Sequence, residues 1–347
     1  MKKISVMMLS AVMALSFVAC GSKASVEPEA AVPESAEQVT EQAAESEESQ
    51  TDAEKVYQVG ICQLVQHEAL DAATQGFKDA LTEKLGDKVV FDEQNAAGDS
   101  ATCATIVNQF VSGNYDLIMG NATAALQAAS SATDTIPVLG TSVTDYATAL
   151  DMDDWTGVSG RNVSGTSDLA PLDKQAEMIK ELFPDVKNIG ILYCSAEANS
   201  KYQSETIQGY LTSMGYQCTE FTFADSNDVA SVTQNACANS DVIFIPTDNT
   251  AASCTEAINN VAEPAGVPIV CGEEGICKGC GVATLSISYY ELGYTTGEMA
   301  YEILVNGADI SAMEVQYSPD ITYKYMADRA EKLGVAIPES YTAIEVE

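Results

Sequence analysis

The fold is decided by YQVGICQ (57–63) and DLIMGNAT (116–123), two apolar runs separated by a helical stretch, a further strand and a second helical stretch. The same order returns 125 to 130 residues later, in NIGILYC (188–194) and DVIFIPTDNT (241–250). Continuous apolar runs are typical of parallel strands that are covered on both faces, and helices connect such strands. Each copy is therefore a βαβαβ unit rather than a short solenoid repeat. The sequence predicts an α/β fold with two doubly wound parallel-sheet lobes.

Three later segments are expected to connect the lobes. VSGRNVSGTSDL (158–169) lacks periodicity and is rich in Gly and Ser, which suits a crossing between lobes. The segment 283–307 is expected to return to the first lobe, and the segment 314–335 to cross back. Three crossings would form a hinge about which the lobes rotate. The predicted ranges are a signal peptide at 1–19, a tether at 20–55, a first lobe at 56–165 plus about 286–314, and a second lobe at 166–285 plus about 315–347.

The N-terminus reads as an export signal. Lys2 and Lys3 precede the apolar run 6–20, which is too short to span a bilayer with ordinary flanks. FVAC before Gly21 resembles a bacterial lipobox, although Phe17 replaces the usual Leu, and it predicts that Cys20 is lipidated and becomes the mature N-terminus. Cleavage by the ordinary signal peptidase is the alternative.

Acidic residues dominate the composition. Residues 24–55 hold ten Asp or Glu and one Lys, with little that could pack, so they are predicted to form a disordered tether. Residues 56–347 carry 41 acids and 12 bases, a net charge of −29. Such a field repels phosphate backbones and anionic lipid, which argues against nucleic-acid partners and against lying flat on a membrane. The protein is expected to be a monomer that meets the membrane only through its lipid anchor.

The cysteines do not form a recognisable disulfide or metal framework. Nine follow Cys20 at irregular spacing, and an odd number is a poor disulfide framework. Cys277 and Cys280 form one CxxC, but a structural zinc needs four ligands and His67 is the only histidine. A surface loop with free or locally paired thiols is predicted for GICKGCG (275–281), with no metal and no cofactor.

A small ligand is expected beyond the carboxyl ends of the strands, where loops enter helix N-termini. Free N–H groups at helix N-termini suit a ligand carboxylate, and none of the loop tips contains Lys or Arg. Hydroxyl and amide candidates for the polar ends of a ligand are Thr123, Ser142, Ser167, Asn199, Ser200 and Asn249, and acids that could meet an ammonium group are Glu68, Asp168, Asp248 and Glu274. Gln63, His67 and Thr247 lie in the same loops and complete the candidate set. Each candidate could instead cap a helix or lie solvated in its loop.

Tyrosines are the aromatic residues best placed for an apolar wall of the site. Tyr193, Tyr289 and Tyr290 are the candidates, although Tyr290 could equally belong to a core.

Seven motifs, taken in order, resemble the family of ABC-transporter substrate-binding lipoproteins that carry tryptophan and related aromatic amino acids. The motifs are QHEALDAATQGFKDAL (66–81), QNAAGDSAT (94–102), ATAALQAA (122–129), SGTSDLAP (164–171), SAEANS (195–200), PTDNT (246–250) and SYYELGYTTGEMA (288–300). The resemblance implies the type I periplasmic-binding fold with a three-crossing hinge. It also implies delivery of an aromatic amino acid such as tryptophan or phenylalanine to an ABC permease with its ATPase.

Two other functions use the same clamshell and stay open at this point. One is a ligand sensor that docks to a receptor, and the other is a carrier of a sugar or nucleoside. Enzyme activity is not expected, because no GxSxG, Walker or GxGxxG motif is present and one histidine cannot build a His-rich site.

Overall fold

The computed structural model describes residues 55–345, which form two α/β lobes. The first lobe contains β1 (Tyr57–Gln63), α1 (Glu68–Leu85), β2 (Val89–Asn95), α2 (Ser100–Ser112), β3 (Leu117–Asn121), α3 (Thr123–Ala132), β4 (Val138–Val143), α4 (Tyr146–Leu150) and β5 (Val163–Ser167). The second contains α5 (Leu172–Leu182), β6 (Asn188–Cys194), α6 (Ala198–Ser213), β7 (Gln217–Phe223), α7 (Val229–Asn239), β8 (Val242–Ile245), α8 (Asn249–Ser253), α9 (Thr255–Ala265), β9 (Ile269–Cys271), α10 (Glu274–Cys280) and β10 (Ala283–Ser286). The C-terminal part adds α11 (Tyr289–Leu304), β11 (Gln316–Tyr317), β12 (Thr322–Tyr325), α12 (Ala327–Leu333) and β13 (Thr342–Ala343).

Each lobe is built on one twisted sheet with apolar clusters on both of its faces. The first sheet has the order β11-β5-β4-β3-β1-β2 and is parallel throughout. The second has the order β13-β12-β10-β9-β8-β6-β7, and only β10 and β12 are antiparallel. The predicted two-lobed α/β architecture is therefore confirmed.

The chain passes between the two sheets three times, after β5, after β10 and after β11. β5 runs to Ser167, and β11 pairs Gln316 with Thr166 and Tyr317 with Ser167. Residues 316–317 thus belong to the first sheet, whereas the sequence placed residues from about 315 onward in the second lobe. A two-residue strand has too little periodicity to reveal its partner sheet.

α11 returns to the first lobe and lies directly against α1. A Cβ atom added to Gly293 would lie 1.9 Å from the Ala73 carbonyl oxygen, and one added to Gly76 would lie 2.1 Å from the Tyr290 carbonyl oxygen. The two backbones approach so closely that only glycine fits at these positions. α11 also supplies Met299 to an apolar cluster that it shares with Phe77.

The predicted surface loop around the CxxC is wrong. The segment forms α10, in which Cys277 and Cys280 are buried in the same apolar cluster as Cys271. The Glu273 side chain caps this helix by accepting from the backbone N–H groups of Gly275 and Ile276. A seven-residue helix with two glycines leaves no periodic signal, which explains why the sequence indicated a loop. The nine cysteines between residues 55 and 345 are all unpaired.

Cys20, the signal segment and most of the tether lie outside the described residues. None of the helices between residues 55 and 345 combines the length and apolar character needed to cross a membrane.

Candidate ligand-binding site

The loops at the carboxyl ends of the two sheets face each other and touch. His67 Nε2 lies 3.2 Å from Asn249 Oδ1, and Glu68 Oε1 lies 2.8 Å from Lys278 Nζ. Because the Asn249 amide nitrogen donates to Glu197 at 2.7 Å, its oxygen accepts and His67 Nε2 is the donor. These contacts join the first lobe to the second across the cleft.

A cavity of about 240 Å³ lies between the lobes. The first lobe contributes Leu64, Val65, Ala97, Gly98, Ser100, Thr123, Ala124 and Gln127 to its wall, and the second contributes Cys194, Ala196, Glu197, Ala198, Asn199, Ala224, Asp225, Ser226, Asn249, Thr250 and Ser253. Small apolar residues form much of the wall, and polar side chains interrupt it. Among these lining residues Glu197 and Asp225 are acidic, and none is Lys or Arg. The cavity therefore suits a small ligand with an apolar body and polar ends, including a cationic group.

Three predicted residues line this cavity, namely Thr123, Asn199 and Asn249. Thr123 is the first residue of α3 and is buried. The Asn199 amide donates to Glu197 Oε2 at 3.1 Å and to the Thr247 carbonyl at 3.0 Å. The structure thus brings together hydroxyl and amide groups from both lobes.

Three further predicted residues lie at the edges of the cleft. His67 and Glu68 line a depression next to Lys278. Glu274 lines a cavity of about 400 Å³ near the hinge, where its Oε2 accepts from Ser286 Oγ and Lys324 Nζ, both at 2.6 Å. Glu274 is therefore already paired with a cation of its own lobe.

Five predicted residues use their side chains within their own lobe. Asp248 Oδ1 and Oδ2 accept from the N–H groups of Ala251 and Cys194, both at 2.7 Å, so this carboxylate caps α8 and fixes β6. The other four make equivalent internal bonds: Gln63 with Thr74 and Asp71, Ser167 with the Thr144 carbonyl, Ser200 with Asn199, and Thr247 with the Gly272 carbonyl. For these five, the capping or loop-fixing alternative describes what the structure shows.

Ser142 lies within β4, one residue before the strand ends, in a strained conformation. Its φ is 54°, in the left-handed region that non-glycine residues rarely adopt. Its hydroxyl is buried and has no hydrogen-bond partner within the described chain. No wall of the cavity described above includes it.

Asp168 lies at the hinge, where the chain leaves the first sheet. Its Oδ1 accepts from Thr144 Oγ1 at 2.9 Å and its Oδ2 from the Tyr289 hydroxyl at 2.9 Å. Burial raises the pKa of Asp168 to about 6, and these hydrogen bonds oppose the shift only in part. Tyr289 is one of the three tyrosines expected in an apolar wall, and its hydroxyl instead bonds to Asp168 at the hinge.

The other two tyrosines lie elsewhere. Tyr193 packs in the core of the second lobe, and Tyr290 is exposed with its hydroxyl donating to Asp79. The expected aromatic wall is not formed by these two side chains.

The central residue that the sequence did not single out is Glu197. Its two oxygens accept from the Asn249 N–H at 3.0 Å, the Thr250 N–H at 2.8 Å, the Thr250 hydroxyl at 2.7 Å and the amides of Asn199 and Asn249. Glu197 thereby ties the start of α6 to the start of α8. Its place in the loop between β6 and α6 was the available signal.

Gln203 and Glu273 were also missed. Gln203 accepts from the Thr247 N–H at 3.1 Å and reaches Thr144 of the first lobe at 3.5 Å. The sequence analysis chose Glu274 as a candidate ligand contact and did not choose the adjacent Glu273.

Desolvation controls the charge state of the buried acids. It raises the pKa of Glu273 to about 7, and it raises the pKa of Asp248, with the nearby Glu197 carboxylate adding to the effect. Burial also lowers the pKa of His67, which keeps its ring neutral, and the Asn249 contact opposes this shift. No His, Cys, Asp or Glu group within residues 55–345 is arranged to hold a metal ion.

Two lobes that contact each other across a cavity with polar walls from both sides define a clamshell solute-binding protein. The chain belongs to the family of ABC transporter substrate-binding proteins, whose family model matches residues 58–346. Proteins of this family act outside the cytoplasm, bind a small substrate and interact with an ABC permease.

Relatives within this family include proteins with named ligands. The chain is 38% identical over 264 residues to a tyrosine-binding protein of Clostridioides difficile strain R20291, an alignment that covers 75% of this chain and 76% of the relative. It is 33% identical to the solved structure of an ABC domain in complex with L-Trp from Streptococcus pneumoniae, which covers 82% of this chain and 97% of that one, with a TM-score of 0.79.

A third solved structure has a similar sequence identity but a lower TM-score. The ligand-free, open structure of a Clostridium difficile substrate-binding protein with adhesive properties is 36% identical and covers 84% of this chain and 100% of that one, yet its TM-score is 0.64. The present chain therefore overlays better on the tryptophan complex than on the open form, although the identities are similar. Direct bonds between its lobes, such as His67 to Asn249, agree with a closed clamshell.

Proposed function

We propose that this protein captures an aromatic L-amino acid, such as tyrosine, tryptophan or phenylalanine, between its lobes and delivers it to an ABC permease. The observation that carries the proposal is the inter-lobe cavity, which combines small apolar walls and amide groups from both lobes with two acidic groups from the second lobe. A zwitterion with an apolar side chain matches this lining, and the named ligands of the relatives are of this kind. Ligand contacts from the second lobe stabilise closure, and the closed form is the one that the permease recognises.

The protein acts as a binder and not as a catalyst. The polar groups that line the cavity are hydroxyls, amides and two carboxylates. The two carboxylate oxygens of Glu197 accept hydrogen bonds from five donors of its own lobe. A carboxylate engaged in this way is a poor general base.

The protein is further proposed to be a monomer held at the membrane by lipid on Cys20, with 24–55 as the spacer and the lobes divided where the chain passes between the sheets, after β5, β10 and β11. Cys20→Ala should move it from the membrane fraction to the medium, and globomycin should block its processing. A wild-type protein that is soluble and unlipidated would contradict the proposed lipid anchor and would leave the proposed ligand binding unaffected.

Calorimetric titration tests the ligand class. The tether-free protein, freed of bound solute by unfolding and refolding, should bind at least one of L-tyrosine, L-tryptophan and L-phenylalanine, and should give no heat with L-lysine or galactose. Small-angle scattering should show a smaller radius of gyration with that ligand than without it. Absence of heat with all three aromatic amino acids would overturn the assignment and leave the fold unaffected.

A further inference from the structure

Two cysteines of the first lobe face each other in its core. The buried face of α2 consists of Cys103, Ile106, Val107 and Phe110, a spacing that turns one side of a helix towards the sheet. Cys62, near the end of β1, lies in the same apolar cluster, and both cysteines are fully buried, with 0% exposure. The Cys62 Sγ atom lies 4.0 Å from the Cys103 carbonyl oxygen. The fold thus brings together two thiols that are 41 residues apart in the sequence.

The two thiols also interact with each other, and they are not equivalent. A hydrogen bond between them raises the pKa of Cys62 and lowers the pKa of Cys103, although burial opposes the second shift. Cys103 is the fourth residue of α2, and the N-terminal turn of a helix favours a thiolate. The thiolate is the nucleophile in thiol–disulfide exchange. Cys103 is therefore suited to attack a disulfide, and Cys62 lies next to it as the second thiol.

A group of three cysteines in the second lobe is arranged differently. Cys271 lies in one apolar cluster with Cys277 and Cys280. Burial and contact with these two thiols raise the pKa of Cys271. The thiol that the other two share thus stays protonated and is a poor nucleophile. The pair in the first lobe is the better candidate for a disulfide.

The pair lies directly behind a wall of the inter-lobe cavity. The loop 96–98 connects β2 to α2, and two of its residues line the cavity. Two N–H groups of this loop donate to the carbonyls of Gln63 and Leu64, at 2.9 Å and 2.8 Å, immediately after Cys62. Cys103 follows the loop within the first turn of α2. A covalent bond between Cys62 and Cys103 would hold both ends of this wall together.

We propose that the exported protein carries a disulfide between Cys62 and Cys103, formed while the chain folds outside the cytoplasm. Members of the family act in that compartment, where disulfides persist. The oxidant is a disulfide, X–S–S–X, of a small molecule or of a protein. The Cys103 thiolate attacks one of its sulfurs and releases X–S⁻, and Cys62 then loses its proton and attacks the Cys103 sulfur, which releases the second X–S⁻. The two cysteines are oxidised, and X–S–S–X is reduced to two thiols that take up the two cysteine protons.

Burial decides when this bond forms and how long it lasts. Both sulfurs are enclosed once α2 packs on the sheet, so the exchange takes place before that step. Afterwards the bond is shielded from reductants, because exchange requires access to a sulfur atom. The cross-link also restricts the unfolded chain, which stabilises the folded lobe.

Peptide mapping tests whether the bond forms. The mature chain is denatured, fully reduced and refolded in a buffer that contains reduced and oxidised glutathione. Free thiols are then blocked in denaturant, and the digest is analysed by mass spectrometry without reduction. A peptide that links Cys62 to Cys103 is expected. Blocked thiols at both positions, or links confined to Cys271, Cys277 and Cys280, would overturn the proposal.

Thermal melting tests what the bond does. Wild-type protein refolded with glutathione should melt about 5 °C or more above the same protein refolded in a phosphine reductant. Cys62→Ala and Cys103→Ala should each melt at one temperature in both buffers, and since each variant is compared with itself, any lost packing cancels. Cys237→Ala, a half-buried cysteine of α7 in the other lobe, is the matched control and should keep the full difference.

Equal melting temperatures of the wild type in the two buffers would overturn the stabilising role of the bond. A difference that persists in Cys103→Ala would assign the effect to other cysteines and would also overturn the proposal. No ligand is added in either experiment, so the outcome is independent of the proposed amino-acid binding.

Discussion

Asn249 shows how one side chain can serve both lobes. Its amide nitrogen donates to Glu197 within the second lobe, and its oxygen accepts from His67 of the first lobe. The residue is largely buried, so neither bond is readily replaced by water. Its position makes it part of the closed state and not only a helix residue.

Replacing Asn249 with Ala should weaken amino-acid binding about tenfold or more, because the closed form loses its bond to His67 and leaves polar groups unpaired. Calorimetry with the tightest-binding aromatic amino acid measures the change. Asn239→Ala is a suitable control, since that exposed amide bonds only to Asn235 of its own helix. Unchanged affinity of Asn249→Ala, at unchanged melting temperature, would mean that the bridge to His67 contributes nothing to ligand retention.

At the residue scale, the sequence located the loops of the cleft but not the free atoms within them. Thr123, Asn199 and Asn249 were identified from their place after strands, and they line the cavity. Ser200 and Asp248 also lie in loops that follow strands, yet their side chains form hydrogen bonds within the second lobe. Some of the partners are distant in sequence, as for Asp248 with the Cys194 N–H 54 residues away and Asn249 with Glu197 52 residues away, and no local pattern predicts such contacts.

At the scale of elements, the packing of α1 on α11 depends on glycines. Gly293→Ala would push a methyl group into the Ala73 carbonyl, and overpacking of this kind costs on the order of 1–3 kcal/mol or more. Gly209→Ala, in the exposed part of α6, meets no atom within 4 Å and should stabilise the protein by up to about 1 kcal/mol. Urea denaturation should therefore give shifts of opposite sign for the same chemical change. Equal or absent shifts would contradict the backbone contact between α1 and α11.

Elements with strong periodicity were predictable, and short ones were not. The apolar runs 57–63 and 188–194 coincide with β1 and β6, because buried parallel strands are apolar over most of their length. Residues 249–265 form two helices that meet at Cys254, and α10 lies where the sequence predicted a loop. In both cases the structure follows from caps by Asp248 and Glu273, whose pairing with particular N–H groups depends on tertiary placement.

For the whole molecule, buried acids should make stability depend on pH. Burial raises the pKa of Asp168 to about 6 and of Glu273 to about 7, and it raises the pKa of Asp248 as well. Folding therefore favours the protonated forms, so their contribution is complete below the ordinary pKa values near 4 and is lost as the pH rises through about 6 to 7. The ligand-free protein should melt at a higher temperature at pH 5 than at pH 8.

Calorimetric scans at constant ionic strength measure this dependence. Asp168→Asn should flatten it, because a neutral side chain of the same shape does not ionise. A melting temperature that is flat or rises between pH 5 and pH 8 would show that these carboxyls ionise in the fold at little cost.

The return of α11 to the first lobe has a consequence for biogenesis. Phe77 shares its apolar cluster with Met299 and Ile310, and the second sheet likewise needs β12, which begins at Thr322. Neither lobe can therefore complete its hydrophobic core until the last quarter of the polypeptide has been synthesised. The order of these contacts along the chain couples completion of both cores to completion of the polypeptide.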